Sequence, residues 1–351
     1  MAELTKGLYG WVICAIACWI SSSFGTIHNC FSIIIGPLVK EFDTSLVTMS
    51  AGWESIDALL FLMAPISAMI GKYLGHRTAL TTSIILASTS IGCSALVKRD
   101  WQFILLYCIL PGMCFSVMNI CSVLTLITYF DEKFGIAMGL YKGSTRLGSV
   151  LHSMPINFLA LHYGHEYNSV YMAILFLTCL SLMPLFYPNP VQKESRAKTN
   201  TYEPIQNEGF AIWTRWLFYV HLLFYRIGWA MIYGFIVELV EFQSIRKITT
   251  FERSLIIWTY TFVGGTYSIL APIIAYCLNI APQLMVVIHL LLVSLIVMLL
   301  TTTTNFYCLL ALVGVSGMCN VTTPTFAAPT SLALHPSKSP EFAMAMIYFW
   351  A

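Results

Sequence analysis

Lys142 and Arg146 lie four residues apart inside an otherwise apolar run that spans 134–160. A cation at the centre of a bilayer costs about 2.5–3.5 kcal/mol on insertion scales, so such side chains face a bundle interior or a water-filled path. Measured from Phe134 along a helix, Lys142 sits about 12 Å and Arg146 about 18 Å into a hydrocarbon layer about 30 Å thick. The deeper of the two does not easily reach the interface. Positions 142, 146, 149 and 153 follow helical spacing, which predicts one polar stripe of Lys142, Arg146, Ser149 and Ser153 facing a cavity. Arg suits a carboxylate there, because its planar fork holds both oxygens at once. The competing reading pairs Arg146 with an acid on a neighbouring helix, and Glu54, Asp57 and Glu238 are the candidates. Arg226, ten residues past Trp216, is a third cation placed near mid-membrane and open to the same two readings.

Other polar residues punctuate the apolar runs. His28 and Asn29 fall in the outer half of the first run, and Glu54 and Asp57 stand three apart on one face at the outer mouth of the second. The two acids either accept protons or are solvated end residues. Asn119 and Asn320 each follow a Gly-Met-Cys; an Asn in a membrane helix needs a partner, so each either ties helices together or lines a cavity. An enzyme would need a nucleophile with its base, or a metal set. There is no H-E-x-x-H, G-x-S-x-G or glycine-rich phosphate loop, and His152, His162 and His165 make no recognised pattern. The eleven cysteines lie almost wholly in apolar segments and read as small buried hydrophobes. No cofactor, metal site or disulfide frame is expected from them.

The elements that must carry these residues are membrane helices. Hydrophobic residues make up 58% of the 351 and charged ones only 10%, where soluble domains carry about a quarter. A net charge of +2 argues against nucleic acid as a partner. Ten segments are long and apolar enough to span, at about 11–35, 51–71, 79–97, 102–128, 134–160, 169–188, 216–240, 254–278, 284–304 and 306–332. An eleventh starts near Phe342. The start of the chain has no cleavage site after a short apolar core and reads as a first spanning helix. With that end cytoplasmic, nine Lys and Arg fall in cytoplasmic loops and six outside, which favours this orientation.

A polar, proline-bearing interruption over 189–215 reads as a cytoplasmic linker between an N-terminal half, 1–188, and a C-terminal half, 216–351. The halves echo one another. Trp53 recurs as Trp258, Ala64-Pro65-Ile66 as Ala271-Pro272-Ile273, Gly112-Met113-Cys114 as Gly317-Met318-Cys319 and Ala137-Met138-Gly139 as Ala343-Met344-Ala345, at offsets of 205, 207, 205 and 206. Such a period predicts an all-α polytopic protein of two parallel-repeat six-helix halves. The same offset sets Ala351 against Thr145, so the chain reads as a fragment cut within its eleventh helix.

Tyr129-Phe130, Lys133, Ala137, Gly139-Leu140, Gly143-Ser144-Thr145 and Gly148 together resemble the fifth-helix signature of the monocarboxylate transporter branch of the major facilitator superfamily. Gly7-Leu8-Tyr9-Gly10-Trp11 resembles that branch's first-helix opening, with Lys6 in place of its leading acid. Gly71 to Arg77 resembles the superfamily's short cytoplasmic loop without its acid, and either braces the two halves or serves as an ordinary positive-inside anchor. The resemblance implies the major facilitator fold and a secondary transporter of small organic anions working by alternating access, multi-pass and plasma-membrane located. It also implies a single-span ancillary protein as a partner. Under it, Arg146, Lys142, Arg226, Asn29, Asn119 and Asn320 are the substrate-site candidates, with Glu54, Asp57 and His28 as proton sites. Asn29 stands where proton-coupled members carry a Lys, and Gly264 and Ser268 stand where they carry an Asp and an Arg. Loss of these charges predicts transport insensitive to a proton gradient. Facilitated diffusion of neutral or aromatic solutes, and a non-transporting sensor or chaperone on the same fold, are the alternatives.

Overall fold

Backbone in a bilayer must satisfy its own hydrogen bonds, which leaves helices as the natural answer to apolar runs such as these. The computed structural model describes residues 2–130, 133–186, 250–303 and 305–334, and nearly all of these are helical. The N-terminal bundle consists of α1 (Ala2–Glu41), α2 (Leu46–Leu62), α3 (Ala64–Leu74), α4 (His76–Cys93), the short α5 (Asp100–Phe103), α6 (Leu110–Tyr129), α7 (Phe134–His162) and α8 (Gly164–Leu182). Three further helices follow: α9 (Thr250–Cys277), α10 (Pro282–Thr302) and α11 (Phe306–Leu334). The span read at 216–240, the linker and the start near Phe342 lie outside the described residues.

Every span expected within the described residues is present, with two departures. The second is not straight: it breaks at Met63 into α2 and α3, bent by 55°. Pro65 sits in the first turn of α3, and since proline offers no N–H and restricts the residue before it, the ladder stops there. In the fourth, α5 leads into α6 through a wider π turn over Ile104–Ile109, just ahead of Pro111. Six helices are long and apolar enough to cross a membrane, or seven with the bent pair taken as one span, among the described residues. Helix α7 is not among them, because its cations and small polar residues lower its mean hydropathy. Its first half, 134–150, is instead enclosed by protein, and the helix packs most extensively on α1 and α9.

Small residues make that enclosure possible. A Cβ on Gly25 of α1 would collide with the backbone of Thr145, and one on Gly148 of α7 would collide with Ser22. On the other side, Gly139 abuts the Ser268 carbonyl and Pro272, and Gly143 abuts the Gly265 carbonyl and Ile269. Close backbone approach at small residues is the main source of helix affinity in lipid, where burial of apolar surface gains little. Ser21 adds a hydrogen bond from Oγ to the Tyr141 carbonyl at 3.0 Å. One extended core, running from Ile13 to Phe186 and joined by Ala328 of α11, binds α1–α8, while α9–α11 also have smaller cores of their own.

The internal repeat reappears as a contact. Gly112 of the first Gly-Met-Cys packs on the backbone of Ile56, and Gly317 of the second packs on the backbone of Tyr260. The partners are separated by 204 residues and the glycines by 205, so the same close crossing is built twice. Elsewhere, Glu41 at the end of α1 caps α8: its Oε2 accepts from the His165 N–H at 3.3 Å and its Oε1 lies 2.6 Å from His165 Nδ1. A carboxylate at a helix N-terminus is well placed electrostatically. Arg77 braces α4 on the end of α8, with Nε donating to the Met183 carbonyl at 3.1 Å. That contact lies within the N-terminal bundle.

Gly148→Val is expected to cost about 1–3 kcal/mol through overpacking, read as a lower melting temperature of the detergent-solubilised protein. Gly36→Ala and Gly135→Ala, where a Cβ would meet nothing within 4 Å, are expected to leave it unchanged.

Candidate functional site

Arg146 projects from α7 towards α9, where its guanidinium lies over the Tyr260 ring, 5.3 Å from the centroid. Gly265, one turn further along α9, gives it room: a Cβ there would come within 3.2 Å of the Arg146 Cβ. Cation–π contact of this kind contributes about 0.5–2 kcal/mol, more as water is excluded. Neither of the described acids weighed as its partner pairs with it. Asp57 is held by His28, Glu54 is exposed, and Glu238 lies outside the described residues. Among the described residues no carboxylate stands within pairing distance of Arg146.

Lys142, one turn back, points to a different neighbour. Its Nζ lies 3.3 Å from Asn119 Oδ1 on α6, and the same oxygen accepts from the Tyr141 hydroxyl at 3.1 Å. Asn119 therefore ties α6 to α7 and positions Lys142, and its carbonyl oxygen is already engaged. The polar stripe predicted along α7 does not extend further. Ser149 is buried against α1, where its carbonyl accepts from Cys30 at 3.5 Å, and its hydroxyl turns back to the Arg146 carbonyl at 2.6 Å. Ser153 likewise bonds its own helix, at Val150. A hydroxyl can satisfy itself on the preceding turn, whereas a cation cannot, so only the two cations look outward.

On the α1 side, His28 Nε2 lies 2.7 Å from Asp57 Oδ2. Asn29 Nδ2 donates to the Gly25 carbonyl at 2.9 Å, and its Oδ1 faces His28 Nδ1 at 3.4 Å. Its amide serves the histidine and its own helix. Trp53 stacks on Phe31 at 4.5 Å and flanks His28 at 5.0 Å. The structure thus brings His28 and Asp57 together from α1 and α2. Asn320 lies on α11 and its side chain is outside the described residues, as is Arg226 altogether.

The sequence reading missed Tyr260 and Gly265. The adjacent glycines at 264 and 265 were a signal that something approaches α9 closely there. At the positions where proton-coupled relatives carry charges, Ser268 is buried and its carbonyl meets Gly139, so the seam has no room for an arginine. A cleft of about 600 Å³ opens elsewhere along the same seam, lined by Phe130, Phe134, Pro272, Tyr276 and Phe326. Arg146 does not line it; the ten residues from Ile136 set it about 15 Å further along α7. The Gly139 and Gly143 contacts lie between. At the mouth, Trp11 packs on Phe130 at 4.8 Å and Tyr9 on Tyr129 at 6.1 Å, so the two stretches that carry the transporter resemblance touch. All eleven cysteines are free, and six of them are buried.

The pattern of the Major Facilitator Superfamily matches residues 11–351. Among curated proteins, the chain is 24% identical over 198 residues to monocarboxylate transporter 10 of Danio rerio, a match covering 54% of this chain and 39% of that protein. It is 22% identical over 158 residues to monocarboxylate transporter 12-B of the same organism, covering 45% of this chain and 33% of that one. The chain thus matches well under half the length of either relative. A solved structure of the proton:xylose symporter XylE bound to 6-bromo-6-deoxy-D-glucose superposes with a TM-score of 0.74 at 14% identity, over 98% of this chain and 86% of that one. At that identity the likeness is one of fold.

Asn119→Leu removes the acceptor shared by Lys142 and Tyr141 and is expected to cost about 1–3 kcal/mol, with Tyr141→Phe costing less. Melting of the purified protein in detergent, compared across the two variants, checks the order.

Proposed function

This chain belongs to the Major Facilitator Superfamily, and from that premise we propose that it carries small organic anions across a membrane by alternating access, with Arg146 as the anion-binding cation. It is a multi-pass membrane protein of a carrier family, and the fold is not that of an enzyme. The observation that carries the proposal is Arg146 itself: an intramembrane arginine at the seam between the N-terminal bundle and α9, seated on Tyr260 and without a carboxylate partner among the described residues. A cation kept in such a place at a cost of a few kcal/mol marks a functional site by default. Its fork offers a carboxylate two parallel hydrogen bonds.

The movement follows from where the contacts lie. In this fold, transport proceeds by rocking two halves about a central site. The 600 Å³ cleft reaches the seam from one side and ends at the glycine contacts, with Arg146 beyond them. An anion entering by that cleft reaches Arg146 once α7 and α9 part at Gly139 and Gly143. Parting these glycine contacts breaks no hydrogen bond between side chains. Lys142, held by Asn119 one turn nearer the cleft, attracts the anion along the way. A plasma-membrane location with the N-terminus cytoplasmic, and two six-helix halves joined over 189–215, belong to the same reading.

A second substrate class, neutral or aromatic solutes moved by facilitated diffusion, is favoured by the Tyr260 ring that faces the Arg146 guanidinium. Uptake separates the two. In cells expressing the protein, Arg146→Gln is expected to abolish uptake of radiolabelled lactate while surface expression is unchanged. Arg146→Lys is expected to restore it only poorly, and Lys142→Gln to raise the apparent substrate constant. Undiminished lactate uptake by Arg146→Gln would end the proposal.

A further inference from the structure

We propose that Tyr260 is the positioning residue of the anion site: its ring holds the Arg146 guanidinium in the pose that receives a carboxylate, and α11 sets the ring through Gly317; this rests on the reading of Arg146 as the anion-binding cation. An arginine that turns among its rotamers occupies any one of them only part of the time, and the apparent affinity of a site falls by the fraction of time its competent pose is populated. Here the side chain is guided at both ends by α9. At its root, Gly265 presents no side chain, and a Cβ there would come within 3.2 Å of the Arg146 Cβ. At its tip, the Arg146 Cζ lies 5.3 Å from the centroid of the Tyr260 ring. Gly265 and Tyr260 stand about 7.5 Å apart along α9, so the side chain runs along that helix from the one to the other.

A ring does this in a way that an acid could not. A carboxylate in its place would take up the N–H donors of the fork, whereas an aromatic face attracts the charge and leaves the donors in the guanidinium plane to an incoming anion. The attraction changes the population of the pose by about 2- to 30-fold. The ring is itself fixed. Tyr260 is buried in the cluster that joins α9 to α10 and α11, together with Ile256, Val293, Leu309, Val313 and Cys319.

Its backbone is fixed from behind. A Cβ on Gly317 of α11 would lie 2.5 Å from the Tyr260 carbonyl oxygen and 3.2 Å from its carbonyl carbon. A bare glycine lets the two backbones meet there, so the place of α11 sets that of the Tyr260 peptide and, with it, the ring. One turn earlier on the same helix, a Cβ on Gly314 would meet Thr259 Cγ2 at 3.4 Å, an ordinary contact. The close crossing is thus made at the residue that carries the ring. A substitution at Gly317 therefore acts on Arg146 by way of Tyr260.

Uptake of radiolabelled lactate by the full chain in proteoliposomes, measured against lactate concentration and scaled to the protein incorporated, tests this. Tyr260→Phe is expected to keep the apparent constant within about twofold, and Tyr260→Leu to raise it by about 2- to 30-fold with the maximal rate per carrier unchanged. Gly317→Ala is expected to raise the constant several-fold and Gly314→Ala to leave it as it is. Burial by itself gives Tyr260 a packing role, so a series that changes the charge of the ring and hardly its size decides between packing and positioning. The series is phenylalanine with none, one, two and three ring fluorines, placed at position 260 by codon suppression. Each fluorine withdraws density from the ring face, and the constant is expected to climb step by step. The series stands even where Tyr260→Leu fails to fold. A constant that stays flat or falls along it, or a Tyr260→Leu that lowers only the maximal rate, would overturn the positioning role; with Arg146→Gln still abolishing uptake, the anion site would remain. Uptake that survives in Arg146→Gln would overturn both.

Discussion

The approach of α7 to its two neighbours at distances that leave no space for a side chain governs the rest of this molecule. In water, a helix with Lys, Arg and several serines would be solvated along one face. In a bilayer it must be surrounded, and the depth at which it can be surrounded depends on how closely other backbones come. Gly25 and Gly148 close the gap to α1, and Gly139, Gly143 and Gly265 close the gap to α9. Helix α7 thereby belongs to both sides of the seam. Any rearrangement that opens a path along α7 separates it from α9, since its attachment to α1 lies within the N-terminal core.

The polar groups held in this enclosure are arranged so that each charge has a neighbour suited to it. Lys142 meets an amide oxygen, Arg146 an aromatic face and Asp57 an imidazole. These arrangements differ in what they leave open. An amide oxygen shared with a tyrosine is committed, whereas a guanidinium stacked on a ring keeps its N–H edge available for two oxygens. A buried ion pair of Arg146 with an acid would have fixed the seam and removed the site, because separating such a pair in a medium of low dielectric is costly.

Much of the fold was legible in the residue pattern. Runs of about 20 apolar residues gave the spans within the described region to within a few residues, because length is imposed by the bilayer. The offset of about 205 residues found its physical counterpart in the twin glycine crossings at Gly112 and Gly317. The site was legible only in part. Helical spacing put Lys142 and Arg146 on the same face as Ser149 and Ser153, but spacing measures angle around one helix and says nothing of which neighbour covers which turn. Helix α1 covers Ser149, α6 receives Lys142 and α9 receives Arg146.

The sequence by itself determined that this is a helical membrane protein with cations inside it, since composition and run length report directly on the solvent the chain must live in. It also carried the family, through short stretches at 7–11 and 129–148. Tertiary structure alone decided which polar residues stand together. His28 meets Asp57 and Arg146 meets Tyr260 across residues distant in the chain, and both meetings depend on rotations about helix axes set by glycine contacts. Asn29, beside His28, and Asn119, which meets Lys142 and Tyr141, have neighbours that no spacing along one helix announces. The physical reason is range: a bilayer acts on each residue wherever it stands in the chain, while a hydrogen bond acts over about 3 Å and needs the fold to bring its partners within reach.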